Sequence, residues 1–228
     1  MTIQAHTFAT LRTDVKTRLN ETAADGNWST TEINTRVNRA ILRVACDTEQ
    51  ETEQETINLR VNVSWYSLPS DCLVPKFLFG PSVWSQLKLF PTTMIALDRE
   101  DHYWERATNS MSSQFIPFSY NRFILWPPPR ETTTVTLFQT PVPTTLSADG
   151  DTTPFRLDAQ KLIPIYATYL CLRRYDWNKA KVMLAEYKSM LAAVNAADRN
   201  NSAVHTTKLR PATKFDKAHG NPRFGRRF

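Results

Sequence analysis

Glycine is scarce in this chain, with five residues in 228, at Gly26, Gly80, Gly150, Gly220 and Gly225. So few, so widely scattered, cannot build a loop that cradles phosphates, which excludes a P-loop or a dinucleotide-binding turn. Cysteine is scarcer still: Cys46, Cys72 and Cys171 are odd in number and never closely spaced. That pattern fits neither a secreted disulfide framework nor a zinc site, and it points to synthesis in a reducing cytoplasm. The four histidines (His6, His102, His205, His219) are dispersed, and no HExxH, paired CxxC or GxSxG occurs. The chain therefore reads as a non-enzyme without cofactor or metal. Long apolar runs are missing too. No stretch approaches the roughly 18 residues of a membrane span, and Met1–Thr10 lacks a charged segment followed by an apolar one, so a soluble protein with no membrane partner is expected.

What is present is charge, unevenly placed. The formal net charge is +6, and residues 199–228 alone carry +7: Arg199, Lys208, Arg210, Lys214, Lys217, Arg223, Arg226 and Arg227 against Asp216. Residues 1–198 are left at −1, so the body is nearly neutral and the excess is an arm. After Asp198 no apolar period continues, and Pro211, Gly220, Pro222 and Gly225 interrupt any element. Phe215, Phe224 and Phe228 separate the cations, a composition suited to a segment that orders on a partner surface. Such an arm can neutralise nucleic-acid phosphates or wrap an acidic protein groove, and it can also be a solubilising extension.

The hydrophobic pattern divides the body. Phe8, Leu11, Val15 and Leu19 predict a first helix over Thr7–Asn20, with Thr7 as cap. Ser29 and Glu32 form a capping box ahead of Ile33, Val37, Ala40, Ile41, Val44 and Ala45, which predicts a helix to about Thr48, with Trp28 and Ile33 closing as a hydrophobic staple. From Gln50 to Leu146 short β-branched and aromatic runs take over. Ile57, Leu59 and Val61 alternate as a strand, and Asn62–Ser64 reads as the turn into a partner strand at Trp65–Pro69. Leu73–Phe79 is a further apolar stretch, and Thr93–Trp104 a short helix. Phe118–Trp126 and Thr132–Thr140 read as strands joined by Pro127-Pro128-Pro129-Arg130 at a sheet edge.

Helical period returns with Leu162, Ile165, Tyr166, Tyr169 and Leu172, where Pro164 must lie in the first turn or kink the helix. Ala180, Leu184, Tyr187, Leu191 and Val194 predict a last helix over about Asn178–Ala197. The expected fold is α+β: a helical bundle from residues 1–49 and 155–198, an inserted strand-rich β module at 50–154, and an extended basic C-terminal arm at 199–228. Asp98-Arg99-Glu100-Asp101-His102 is the one dense run of metal-ligand types. Neighbouring helical positions point apart, so it reads as a solvated face. Trp65, Trp104 and Trp126 are expected in the core or at a subunit interface.

The order of these features resembles the head-to-tail adaptor proteins of tailed bacteriophages. The residues that carry the resemblance are Trp28-Ser29-Thr30-Thr31-Glu32-Ile33, Asn38-Arg39-Ala40-Ile41, Tyr66-Ser67-Leu68-Pro69-Ser70-Asp71, and Leu97-Asp98-Arg99 before Trp104. They continue with Pro117, Phe118-Ser119-Tyr120, Phe123-Ile124-Leu125-Trp126-Pro127-Pro128-Pro129, and a closing helix with Asp176 and Lys179-Ala180. The long basic tail and Pro164 depart from the family pattern. The resemblance implies a virion structural protein of the neck, assembled in the host bacterial cytoplasm and placed at the head-tail interface. It implies a homo-oligomeric ring, a dodecamer, that binds the portal protein ring, extends the DNA ejection channel for packaged DNA, and offers a platform for tail assembly by downstream tail or nozzle proteins. Under it, Lys208, Arg210, Lys214, Phe215, Lys217, Arg223, Phe224, Arg226 and Arg227 form a portal-docking arm. The alternative is an oligomeric nucleic-acid-binding protein that holds DNA with the same tail.

Overall fold

The computed structural model describes residues 6–20, 28–80, 88–100, 112–118 and 121–208, with the side chains of 97, 100 and 199–208 outside that description. The protein is α+β. In chain order the elements are α1 (Phe8–Arg18), α2 (Thr30–Thr48), β1 (Glu53–Leu59), β2 (Trp65–Ser67), β3 (Cys72–Phe79), β4 (Lys88–Leu89), α3 (Met94–Glu100), β5 (Gln114–Phe118), β6 (Arg122–Trp126), β7 (Thr133–Pro141), α4 (Leu157–Gln160), α5 (Leu162–Leu172) and α6 (Trp177–Lys208).

The helix starts follow from the caps. Thr7 accepts from the Thr10 amide. At α2, Ser29 Oγ accepts from the Glu32 amide at 3.2 Å while Glu32 Oε2 accepts from the Ser29 amide at 3.1 Å, the reciprocal box written in the sequence. Trp28 packs against the apolar cluster that contains Ile33. Glu49 ends α2 in the left-handed conformation, φ 48°. Pro164 occupies the third position of α5, within the first turn, where no N–H is needed.

One apolar cluster joins Phe8, Leu11 and Val15 of α1, the Ile33–Ala45 stripe of α2, Leu162 to Ala167 of α5, and Tyr187 and Val194 of α6. α5 is buried nearly all round: Ile163, Ala167, Thr168 and Cys171 are inside as well as Leu162 and Ile165, while Tyr169 and Leu172 are only half-buried. The amphipathic stripe expected for it was therefore too narrow, because a helix covered by three others has no polar side to show.

The strands form two antiparallel sheets, β1-β7-β3-β4 and β2-β6-β5. Their inner faces share a second core of Ile57, Leu59, Tyr66, Leu78, Leu89, Phe115, Phe123, Leu125, Val135 and Leu137. Three strand expectations need correction. β2 does not pair with β1; it pairs with β6, and β1 pairs with β7. The Tyr66 hydroxyl takes the Arg60 amide at 3.1 Å and lies 2.8 Å from the Val63 carbonyl, so it ties off the 60–66 loop as a bend between sheets in place of a hairpin, with Asn62 at φ 59° and Val61 exposed. Second, the stretch read as one strand from Phe118 to Trp126 is not continuous: Phe118 is the last residue of β5, and β6, which starts at Arg122, pairs antiparallel with it. Third, Pro127–Pro129 does not join paired strands at an edge. β6 and β7 are the central strands of different sheets, and the prolines, which cannot continue a ladder, carry the chain from one sheet to the other.

The last helix runs to Lys208, well past the expected stop near Ala197. Asn200 and Asn201 are weak helix formers, but the first proline beyond them is Pro211, so nothing forces an earlier end. Replacing Ser29 with Ala removes the α2 cap and is expected to lower unfolding stability by about 1 kcal/mol in urea titrations. The Ser29 amide and hydroxyl hold the Glu32 carboxyl below its usual range. The stabilisation from this pair is present above the ordinary glutamate pKa and is lost as pH falls through the depressed native one, an acid dependence that Glu32→Gln removes.

Candidate assembly surfaces

The C-terminal end of α2 is where helices and sheets meet. Asp47 Oδ2 accepts from Arg43 Nε at 2.8 Å and from Tyr187 Oη at 2.7 Å, joining α2 to α6. Burial raises the Tyr187 hydroxyl above its ordinary pKa, and the bond to the Asp47 carboxylate raises it further. One turn on, Gln50 Nε2 donates to Asp198 at 3.2 Å, Gln50 Oε1 accepts from the Arg156 amide at 3.2 Å, and the Arg156 guanidinium pairs with Asp198. From β3, Lys76 Nζ donates to the carbonyls of Glu49 and Glu51, the latter at 2.7 Å, and to Thr52 Oγ1 at 2.6 Å. Burial draws the Lys76 pKa down while Glu49 and Glu51 oppose it.

This junction ties α6 to the end of α2 and the residue after it at Tyr187 and Asp198. Lys208, the first residue assigned to the docking arm, is the last residue of α6. Arg210, Lys214, Phe215, Lys217, Arg223, Phe224, Arg226 and Arg227 lie outside the described residues. So do Trp104, Asp101 and His102; Asp98 and Arg99 of the acidic run are exposed on α3.

Several large side chains lie open on the body. Trp65 is 48% exposed and meets Phe118, 42% exposed, edge to face at 5.1 Å. Trp65, expected in the core or at a subunit interface, is not in the core; it faces outward because Tyr66, its neighbour on the strand, takes the inward position. Trp126 is buried with Ile116, Ile124 and Met94 on that same outer face. Lys88 Nζ stands 3.7 Å over the Phe77 ring, with Phe90 beside it. At the α5–α6 corner, Tyr175 (71% exposed) packs edge-on against Trp28, and Trp177 (52%) lies under Lys181.

These features suit contact with macromolecules better than chemistry on a small molecule. A hollow of about 420 Å³ is lined by His6, Asp14, Thr17, Arg18, Lys161 and Met190, where His6 Nδ1 lies 3.8 Å from Asp14. Arg18 there pairs with Glu186, and Thr17 Oγ1 donates to the Thr13 carbonyl. Among the described residues no group of three or more His, Cys, Asp and Glu side chains converges on a metal position, and no helix is long and apolar enough to cross a membrane. The junction was invisible to sequence reading because Asp47, Lys76, Arg156, Tyr187 and Asp198 lie far apart in the chain. The exposed corner carried a signal, the run Arg173-Arg174-Tyr175-Asp176-Trp177 with Lys179 and Lys181.

A family model described as SU10 adaptor protein matches residues 6–211. Comparison with curated proteins gave no match.

Tyr187→Phe is expected to cost about 1.5 kcal/mol, the range for a hydrogen bond to a charged group. Wild-type stability should hold up to about pH 10, the ordinary tyrosine pKa, and fall above it as the raised native pKa is approached; the Phe variant should lack that fall. Burial and the Asp71 carboxylate push the Cys72 thiol up to about 11. At pH 8 iodoacetamide should therefore label Cys72 much more slowly in native than in urea-unfolded protein, as read by mass spectrometry.

Proposed function

From the premise that the chain belongs to the SU10 adaptor protein family, a family of phage head-to-tail adaptors, we propose that it is a structural neck subunit. It docks on the portal ring, closes into a homo-oligomeric ring, expected to be a dodecamer, and extends the DNA channel toward the tail. In this reading residues 1–49 and 155–198 are a helical bundle that holds the ring, residues 50–154 are a β module that meets downstream tail or nozzle proteins, and the basic arm grips the portal. No cofactor is required. Location at the head-tail interface of the virion follows from the same reading.

The observation that carries the reading is the clamp at Asp198. A docking segment on a mobile base would cost ordering entropy for the base as well as for itself. Here the base is already fixed: α6 is tied at Tyr187 and Asp198 and continues as helix to Lys208. The twenty residues beyond carry Arg210, Lys214, Lys217, Arg223, Arg226 and Arg227. Around a ring, many such arms act together, so weak single contacts add to a stable attachment.

The test is a pull-down with portal rings from the same genome, comparing the full chain with a truncation after Lys208. Full-length protein should bind, and the truncation should bind at least about tenfold more weakly. Equal binding by both would remove the arm from portal docking. No portal binding, together with DNA affinity that falls with a log–log salt slope of about −5 for six phosphate contacts, would replace the adaptor reading by the nucleic-acid one.

A further inference from the structure

Two exposed surfaces of opposite charge lie at opposite ends of α2. At its N-terminal end, next to Trp28, the α5–α6 corner displays Arg173, Arg174, Lys179 and Lys181 around Tyr175 and Trp177. Asp176 is its single acid, already paired with Lys179 at 3.4 Å and capping the Lys179 amide. Arg173, Arg174 and Lys181 make no ion pair among the described residues. Lys179 stands in the first turn of α6, where the helix dipole disfavours a cation, and is held there by Asp176, while Lys181, one turn on, lies over Trp177. Exposed tyrosine, tryptophan and arginine are the side chains that most often anchor protein interfaces.

Beyond the other end of α2 runs β1, an edge strand paired on one side only, with β7. Glu53 and Glu55 lie on the same face as Ile57 and Leu59, which are in the sandwich core, yet both glutamates are exposed. They make no ion pair among the described residues, and Glu51, half-buried before them, has its pKa raised by burial and by Glu53. Gln139, the ladder partner of Glu53 and so on its face, is fully buried with neither amide atom hydrogen-bonded. The exposed part of this edge is thus acidic, with the Glu53 and Glu55 carboxylates in no ion pair among the described residues and an unbonded amide buried behind them.

The corner and the edge cannot meet within one chain, because the nineteen residues of α2 hold them about 28 Å apart. We propose that the Arg173–Lys181 corner of one copy docks on the Glu51–Glu55 edge of the next. This contact is heterologous: each copy offers one basic and one acidic surface, the kind of interface that repeats around a ring. It also covers an open strand edge, which would otherwise invite unspecific pairing. The inference deepens the ring reading above and rests on it.

Charge exchange tests it with the full chain. One variant carries Arg173→Glu, Arg174→Glu and Lys181→Glu, and a second carries Glu53→Lys and Glu55→Lys. Self-association is followed by sedimentation at low and high salt, with circular dichroism as the check on folding and portal pull-down run on the same samples. Wild-type protein should associate in a salt-sensitive way, and each variant alone should do so at least tenfold more weakly. An equimolar mixture of the two should recover association, since each then presents what the other needs. Wild-type protein that stays monomeric, variants that associate as wild type does, or a mixture no better than its components would each overturn the assignment. Loss of association both on removing residues 209–228 and in the Glu53→Lys, Glu55→Lys variant, with the Arg173→Glu, Arg174→Glu, Lys181→Glu variant unaffected, would make the basic arm the occupant of β1 and also overturn it. Portal binding retained by a non-associating variant separates this interface from the portal reading, and portal binding absent in wild type counts against that reading alone.

Discussion

The Lys76 ammonium projects from β3 into the end of α2 and takes the carbonyls of Glu49 and Glu51 and the hydroxyl of Thr52. The last carbonyls of a helix have no partner inside it, and here a strand of the neighbouring sheet supplies one. The geometry of the rest follows. Glu49 turns left-handed, β1 departs along the sheet, and Gln50 is left facing Asp198 and the Arg156 amide. With Asp47 holding Tyr187 on the other side, α6 is fixed to α2 at two points along its length. Half-buried charge of this kind is costly unless every donor is used, and all three ammonium protons have acceptors.

That constraint links the fold to assembly. The core gives the helices a common apolar centre and holds α6 through Tyr187 and Val194, and the sandwich gives the strands another. The polar junction between them pins α6 further at Tyr187 and Asp198. A helix aimed by its base can deliver the basic segment that follows it to a constant place, whatever that segment finds there.

Much of this was legible in the sequence where local chemistry decides structure. The Ser29–Glu32 box, the Thr7 cap and the stripe from Ile33 to Ala45 each depend on residues within a few turns of one another, and they stand as read. The sheets were harder because their partners are remote. Nothing near Ile57 announces that it will lie against Val135, and the Tyr66 hydroxyl that bends the chain away from a hairpin acts through three-dimensional closure. The prolines at 127–129 were correctly seen as unable to continue a ladder, but whether such a break lies at an edge or between sheets is set by tertiary packing. The basic excess of residues 199–228 was plain from composition alone. The corner at Arg173–Lys181 was spelled out in the chain, whereas its contrast with the acidic β1 edge needed the direction of α2.

Electron cryo-microscopy of portal rings incubated with the full-length protein tests the central claim most directly. The account predicts density for this chain at one end of the portal only, as a closed ring around an open axis, with α6 directed at the portal subunits and the segment after Lys208 lying on them. Density with α6 turned away from the portal, or particles whose portals remain bare while the protein coats added DNA, would contradict it.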